Sequence, residues 1–509
     1  MTDAPLHAIS LSLVSHTNAG KTTLARTLLG RDVGTVRDAP HVTEFADVFT
    51  MLETAQGEQL LLWDTPGFGD SLRLVKRLRE SAHPFVNPLG WFISQVWDRW
   101  RDRAFWSSQQ AMRNVRDEAD VMLYLVNAAE SPEAAGYVQA EMALLGWLGK
   151  PVVVLLNQLG APREGALEAA EVARWQAHLA AHSFVTAVLP LDAFARCWVQ
   201  EGALLEAIEA ALTAERRALM ARLRAAWQAQ RMQTFDAAMR SLAGSLARLA
   251  CATEVVADAG SLSARLRQAG IAIGVGKSES SPTALAQKAL AERHGAEVRA
   301  NTLALIGLHG LDGTAQVEIL QRLASHFETR LQLDEAKAGL WGGIVSGALV
   351  GLKADLLSGG LTLGGGLLAG GLIGALGGAG LARCVNLVRG TDASWVAWNP
   401  PALDQMLEAA LLRYLAVAHF GRGRGDWAQG ESPSHWRGAV ERALQPQRVV
   451  LAALWREREV GTGASTDAEA LLKAGLLPLI EQALRDVLRE LYPTAALGES
   501  ALPAPQASQ

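Results

Sequence analysis

Residues equipped to hold phosphate stand near the start of the chain, in Ser15-His16-Thr17-Asn18-Ala19-Gly20-Lys21-Thr22-Thr23. The stretch directly follows the apolar run Ala8-Ile9-Ser10-Leu11-Ser12-Leu13-Val14, which reads as a first strand. A loop of small residues between a strand and a helix lets backbone N–H groups wrap phosphate oxygens. A helix opening at Lys21 adds its positive dipole end to the same anion. Asn18, Ala19, Gly20 and Thr23 are expected to line the phosphates. Lys21 should reach the β/γ oxygens as the catalytic cation, and the Thr22 hydroxyl should hold Mg²⁺. The usual pattern begins with glycine; Ser15 stands there, so the match is incomplete. A second run, Leu60-Leu61-Leu62-Trp63-Asp64-Thr65-Pro66-Gly67, follows at the distance expected of a second nucleotide-contacting strand end. Asp64 suits Mg²⁺ through water, and the N–H of Gly67 suits a γ-phosphate during catalysis.

The elements that must carry these groups are strand-like runs at 8–14, 45–51, 59–63, 120–126, 151–156 and 184–189, most of them separated by helical patterns. Such alternation predicts an α/β domain with a mostly parallel sheet, helices on both faces and ligand at the carboxyl ends of the strands. From about residue 203 the pattern becomes long Ala/Leu/Arg/Glu stretches, which predicts an all-α remainder. A chain of 509 residues should hold two or three domains. Net charge is −5 with 19% charged residues and no basic run, which weighs against nucleic acid as a main partner. Cys197, Cys251 and Cys384 lie far apart without metal-ligand spacing, so ordinary thiols in a reducing cytoplasm are expected. The N-terminal apolar run is short and consumed by the first strand, so no cleavable signal is expected.

Asn18-Ala19-Gly20-Lys21-Thr22, the Asp64-Thr65-Pro66-Gly67 box and Leu28-Leu29-Gly30 at the close of the first helix together resemble the Era/TrmE-like branch of the translation-factor-related GTPases. The layout, with a helical, glycine-rich C-terminal part, is similar to a bacterial family whose C-terminal domain has no assigned function. The resemblance to the GTPase domain covers about 40% of the chain. It implies binding of GTP and GDP, Mg²⁺, and hydrolysis of the γ-phosphate. Switch I should then lie in 31–44, with Thr43 as the catalytic, Mg²⁺-ligating threonine and Thr35 as the runner-up.

Three departures qualify that reading. Phe68 occupies the position where many GTPases place a glutamine that orients the attacking water, so hydrolysis should be slow. Relatives of this kind use a potassium ion held by the phosphate-loop asparagine, together with dimerisation in the triphosphate state; Asn18 stands at that position, though it could equally just cap the loop. The base-recognition pattern Asn-Lys-x-Asp appears as Asn157-Gln158-Leu159-Gly160. Asn157 fits, Gln158 replaces the lysine that covers the ring, and Gly160 has no carboxylate for guanine, which puts strict guanine selectivity in doubt. Asp192 or Ala193 is expected to line the remaining side of the base pocket.

Two further features lie outside the nucleotide core. Residues 85–106 hold Phe85, Trp91, Phe92, Trp97, Trp100, Phe105 and Trp106, an amphipathic aromatic stretch that either packs on the core or binds a partner. Residues 339–380 hold 16 of the 48 glycines, with ladders at Gly339, Gly343, Gly347, Gly351 and at Gly366, Gly370, Gly374, Gly378. Four-residue glycine spacing suits closely packed helix pairs. Residues 359–382 run 24 positions without a charge, long enough to span a bilayer, whereas 338–352 run only 15. The expected organisation is a GTPase domain at 1–202 with an insert at 68–118, and a helical domain at 203–335. A glycine-zipper hairpin and possible membrane segment at 339–382 (within 336–390), more helix at 391–490 and a disordered tail at 491–509 follow. That chain would sit in the cytoplasm or at the cytoplasmic face of the inner membrane. The competing expectation is a non-hydrolysing interaction protein with a soluble helical effector domain.

Overall fold

The computed structural model describes residues 7–30, 46–80, 90, 92–93, 102–159, 165–193, 197–256, 282–311, 319, 385–389, 394–420, 434–458 and 466–493. Thr35, Thr43, Trp97, Trp100, Gly160, Cys384, the glycine ladders and the residues after 493 lie outside these ranges. The chain divides into two compact units. The first comprises Met1–Gln233, Ala418–Ala428 and Arg489–Gln509; the second comprises Thr234–Val417 and Gln429–Leu488.

The first unit is built on a six-stranded sheet. Its strands are β1 (Ala8–Ser15), β2 (Asp47–Glu53), β3 (Gln59–Asp64), β4 (Val121–Asn127), β5 (Val152–Asn157) and β6 (Val185–Pro190), in the spatial order β2-β3-β1-β4-β5-β6. All neighbours run parallel except β2 and β3. The runs predicted as strands are strands, displaced by two residues at most, and the central ones, β1, β4 and β5, are largely apolar because both of their faces are buried. Every residue of β1 and β5 is buried. The serines inside β1 are satisfied there: Ser12 Oγ donates to Asn114 Oδ1 at 2.7 Å, and Ser10 Oγ accepts from Trp63 Nε1 at 3.1 Å.

Helices α1 (Lys21–Leu29), α2 (Ser71–Glu80), α3 (Arg103–Glu118), α4 (Tyr137–Leu148), α5 (Gly165–Leu179) and α6 (Trp198–Ala211) complete this unit, and the chain passes to the second within α7 (Ala214–Cys251). Because β3 and β4 flank β1 on opposite sides, the chain leaves β1 at the point where strand order reverses. Open sheets of this kind bind ligands in the crevice that forms there. Leu74, Leu78, Phe105, Met112, Tyr124 and Trp175 contribute to one core cluster of this unit.

The second unit is largely helical, with α8 (Pro282–Leu308), α9 (Pro400–Ala418), α10 (Ser434–Leu444), α11 (Arg448–Glu457) and α12 (Thr466–Leu491). It is not all-α. Strands β7 (Thr253–Val256), β8 (Val385–Arg389) and β9 (Ser394–Trp398) form an antiparallel sheet in the order β7-β9-β8. The sequence signal was present in two β-branched and aromatic runs separated by Gly390-Thr391-Asp392-Ala393, a hairpin pattern outweighed by the surrounding helical periodicity. Among the described residues no helix is long and apolar enough to cross a membrane. Cys197 and Cys251 are buried thiols, as expected.

Candidate functional site

The carboxyl end of β1 turns directly into α1 through Ser15–Gly20, and the turn is fixed by two residues with left-handed backbone. Asn18 has φ +67° and Gly20 φ +88°. Asparagine tolerates this region better than most side chains, and glycine occupies it without penalty. Gly20 is further constrained by close approach, since a Cβ there would lie 2.7 Å from Asn157 Nδ2. No side chain caps the start of α1. The N–H groups of its first turn are therefore available to an anion.

Lys21 begins α1 and is 7% exposed. Its Nζ donates to Ser15 Oγ at 2.9 Å, and that hydroxyl donates in turn to the His16 carbonyl at 2.6 Å. Ser15, which breaks the glycine pattern, thus holds the lysine. Burial lowers the Lys21 ammonium to about 8, against the opposing pull of Asp64 and Glu141. Thr22 Oγ1 donates to Asp64 Oδ2 at 2.6 Å, which joins the two motifs at one point. Asp64 is 2% exposed, and its Oδ1 has no hydrogen-bond partner among the described residues. Burial pushes the Asp64 carboxyl up to about 6, although Thr22 and Lys21 favour its charged form. A hydroxyl beside a carboxylate with an unsatisfied buried oxygen is a hard-oxygen donor set that fits Mg²⁺. Thr23 lies in the same helical turn and is buried.

The segment after β3 lies on the phosphate loop. Phe68 N donates to the Ser15 carbonyl at 2.8 Å, and the Phe68 carbonyl accepts from Thr17 N at 3.2 Å and Thr17 Oγ1 at 2.8 Å. Gly67 is the glycine of that contact: a Cβ on it would fall 2.9 Å from Thr17 Cα and 3.0 Å from Lys21 Nζ. The Phe68 ring is 1% exposed and belongs to the core cluster.

At the ends of β5 and β6, Asn157 is fully buried and doubly engaged. Its Nδ2 donates to the Ala19 carbonyl at 2.8 Å, and its Oδ1 accepts from Ala193 N at 2.9 Å. Thr27 Oγ1 of α1 donates to the Ala193 carbonyl at 2.8 Å. Leu159 N donates to Asp192 Oδ2 at 2.7 Å, and Gln158 between them has φ +59°. The structure therefore brings together Asn18, Ala19, Gly20, Lys21, Thr22, Thr23, Asp64 and Gly67, and ties Asn157 to them through Ala19.

A polar cluster beside the loop was not anticipated. Glu141 of α4 is fully buried, accepting from Tyr124 OH at 2.7 Å and lying 2.9 Å from His16 Nδ1. The His16 ring stacks on Tyr137 with centroids 4.6 Å apart. Burial, then the Glu141 charge, holds the Tyr124 phenol well above its usual value, and burial raises Tyr137 to about 12. The available signal was Glu141 as the one charged residue in the apolar run Tyr137–Leu148.

Comparisons with known proteins align with this geometry. Residues 10–158 match the family model described as 50S ribosome-binding GTPase, and residues 326–470 match a domain of unknown function (DUF3482). GTPase Der of Myxococcus xanthus (strain DK1622) is 29% identical over 157 residues, covering 29% of this chain and 26% of the relative. The chain thus spans about a quarter of the length of the curated relative it matches. The crystal structure of Era in complex with MgGDPNP and nucleotides 1506–1542 of 16S ribosomal RNA is 18% identical, with TM-score 0.27, over 36% of this chain and 51% of that one. An oligomerised bacterial dynamin pair is 11% identical, with TM-score 0.21, over 97% and 70%. Scores this low carry no argument for the fold, which the sheet topology establishes by itself. The N-terminal segment is a GTPase-family domain, joined to a separate C-terminal domain of unknown function.

Proposed function

We propose that the chain is a slow, Mg²⁺-dependent GTP hydrolase whose nucleotide state controls its helical C-terminal part. The observation that carries this is the Thr22–Asp64 contact of 2.6 Å with Asp64 Oδ1 left unsatisfied, which turns two motifs 42 residues apart into one metal-ready site. Thr22 would hold Mg²⁺ directly, together with Thr43 from the switch I range 31–44, and Asp64 would hold it through water. The ion, once bound, would supply charge neutralisation to the phosphates. Backbone N–H groups of Asn18–Lys21 and the start of α1 bind the triphosphate, and Lys21 transfers from Ser15 Oγ to the β/γ oxygens. Water attacks the γ-phosphorus, the bond to the β–γ bridging oxygen breaks, the leaving GDP takes up the negative charge that Lys21 stabilises, and the protons of the water pass to the inorganic phosphate and solvent.

The Gly67 N–H would bind the γ-phosphate, so loss of that group would free the segment resting on Thr17. With Phe68 committed to the core, no side chain at that position guides the water. Asn18, exposed at the loop tip, would hold a potassium ion that substitutes, in a dimer formed around the triphosphate. Gln158 would lie along the base. The apolar, glycine-rich segment 339–382 would attach the chain to the cytoplasmic face of a membrane. Net charge of −5 disfavours nucleic acid as a partner.

Burial of Phe68 also supports a second reading, in which the domain binds nucleotide without turning it over. Calorimetric titration with GTP and GDP, with and without Mg²⁺, together with phosphate release, separates the two. Lys21→Ala should abolish binding with the circular dichroism spectrum unchanged. Undiminished affinity in that variant would remove the assignment of the site.

A further inference from the structure

Guanine presents an N1–H and an N2 amino group along one edge, and a binding site that buries them needs acceptors, which the two oxygens of one carboxylate can supply together. At the position where the resemblance puts that carboxylate, the chain has Gly160, which has no side chain. Strands β5 and β6 are parallel neighbours with Leu156 opposite Pro190, so 157–159 and 191–193 leave the carboxyl edge of the sheet side by side. Leu191 N donates to the Leu156 carbonyl at 3.1 Å and keeps them together. Among the described residues of these two segments, Asp192 is the one carboxylate.

Asp192 is 4% exposed, and its Oδ2 accepts from Leu159 N at 2.7 Å. That bond ties it to the very segment that would otherwise provide the acid. A carboxylate offers about four acceptor directions across its two oxygens, and the bond from Leu159 N fixes how the group is oriented. Asn157 is spent as a brace, its amide nitrogen on Ala19 and its oxygen on Ala193. The neighbouring peptide is held at both ends, Ala193 N by Asn157 and the Ala193 carbonyl by Thr27.

We propose that Asp192 supplies the carboxylate that reads the guanine N1–H and N2 amino donors, so that the acid has moved from the loop after β5 to the loop after β6. This inference rests on the nucleotide site proposed above and names its specificity residue. It predicts a guanine-selective protein despite Gly160.

The test is calorimetry of the full-length protein in Mg²⁺ with GDP, IDP, XDP and ADP. Inosine lacks the 2-amino group and xanthine replaces it with a carbonyl. The wild-type protein should bind GDP at least about tenfold more tightly than IDP, and XDP more weakly still. Asp192→Asn preserves size and an acceptor for Leu159 while replacing one anionic oxygen with a donor. It should weaken GDP at least about tenfold and strengthen XDP, leaving ADP unchanged. Equal wild-type affinity for GDP and IDP, which needs no variant, would overturn the proposal. So would Asp192→Asn weakening all four nucleotides in proportion, as a bare loop brace would. If GDP binds and Lys21→Ala abolishes it while these ratios stay flat, the base assignment alone falls. A wild-type protein that binds no purine nucleotide would take the nucleotide site with it.

Discussion

Ser15 and Asp64 are the two side chains whose environment most alters what the loop can do. The Ser15 hydroxyl occupies Lys21 at 2.9 Å, so a phosphate must displace it. Removing the hydroxyl while keeping its Cβ should therefore tighten triphosphate binding. Ser15→Ala is expected to lower the GTP Kd by about threefold to tenfold, the equivalent of about 0.5–1.5 kcal/mol for one exchanged hydrogen bond. An unchanged Kd by titration would mean that Ser15 does not compete for the lysine. Asp64 titrates near 6 instead of 3.8, because burial penalises its charge more than Thr22 and Lys21 relieve it. An acid with a raised folded-state pKa holds its proton longer when folded, so metal-free stability should fall as pH rises from about 4 to about 6. Mg²⁺ needs the ionised form, so metal-dependent nucleotide affinity should rise over pH 5.5–7. Asp64→Asn should flatten both trends. Chemical denaturation and Mg²⁺ titration at pH 5 and 7 read them out.

At the scale of elements, the loop between β1 and α1 is fastened from three directions. Asn157 reaches it from β5 at Ala19, Phe68 pairs with Ser15 and Thr17, and Glu141 of α4 meets His16. Only glycine fits where these approaches are closest, at Gly20 beside Asn157 and at Gly67 beside Thr17. The same fastening explains why Phe68 cannot act on water: its backbone serves the phosphate loop and its ring serves the core. Hydrolysis should then depend on a cation at Asn18, whose left-handed backbone leaves its side chain exposed. Turnover is expected to be faster in potassium than in sodium at equal ionic strength, and Asn18→Ala should erase the difference. Identical phosphate-release rates in the two salts would return Asn18 to a turn residue.

At the scale of the molecule, a charge of −5 and glycine ladders at four-residue spacing argue for a membrane or protein partner in preference to nucleic acid. The full-length protein is expected to sediment with anionic liposomes, and deletion of 339–382 should release it. Gly370→Leu with Gly374→Leu keeps the segment apolar but prevents close backbone approach. It should preserve sedimentation while reducing any triphosphate-dependent self-association measured by light scattering. Wild-type protein that stays in the supernatant in every nucleotide state would end the membrane reading and leave the glycines as a packing device.

The centre of the six-stranded sheet was legible in the sequence because strands buried on both faces demand unbroken apolar runs, and Val121–Val126 and Val152–Leu156 supply them. The start of α1 at Lys21 was legible because glycine and a phosphate loop permit little else. Local pattern did not reveal β8 and β9, whose pairing across a short connection stabilises two runs embedded in helical surroundings. Nor did it reveal what Ser15 and Glu141 hold, and it put Asp192 or Ala193 beside the base without showing the bond from Leu159 to Asp192. Ser15 read as a departure from the glycine pattern until Lys21 was seen to be held by it, and Glu141 carried no pattern that pointed to Tyr124 or His16. Asp192 lies 33 residues from its Leu159 partner, and the two meet only because β5 and β6 pair in parallel. Sequence determines which residue types each element carries. Which distant side chain satisfies a buried charge depends on strand order and register, and these exist only once the sheet has formed.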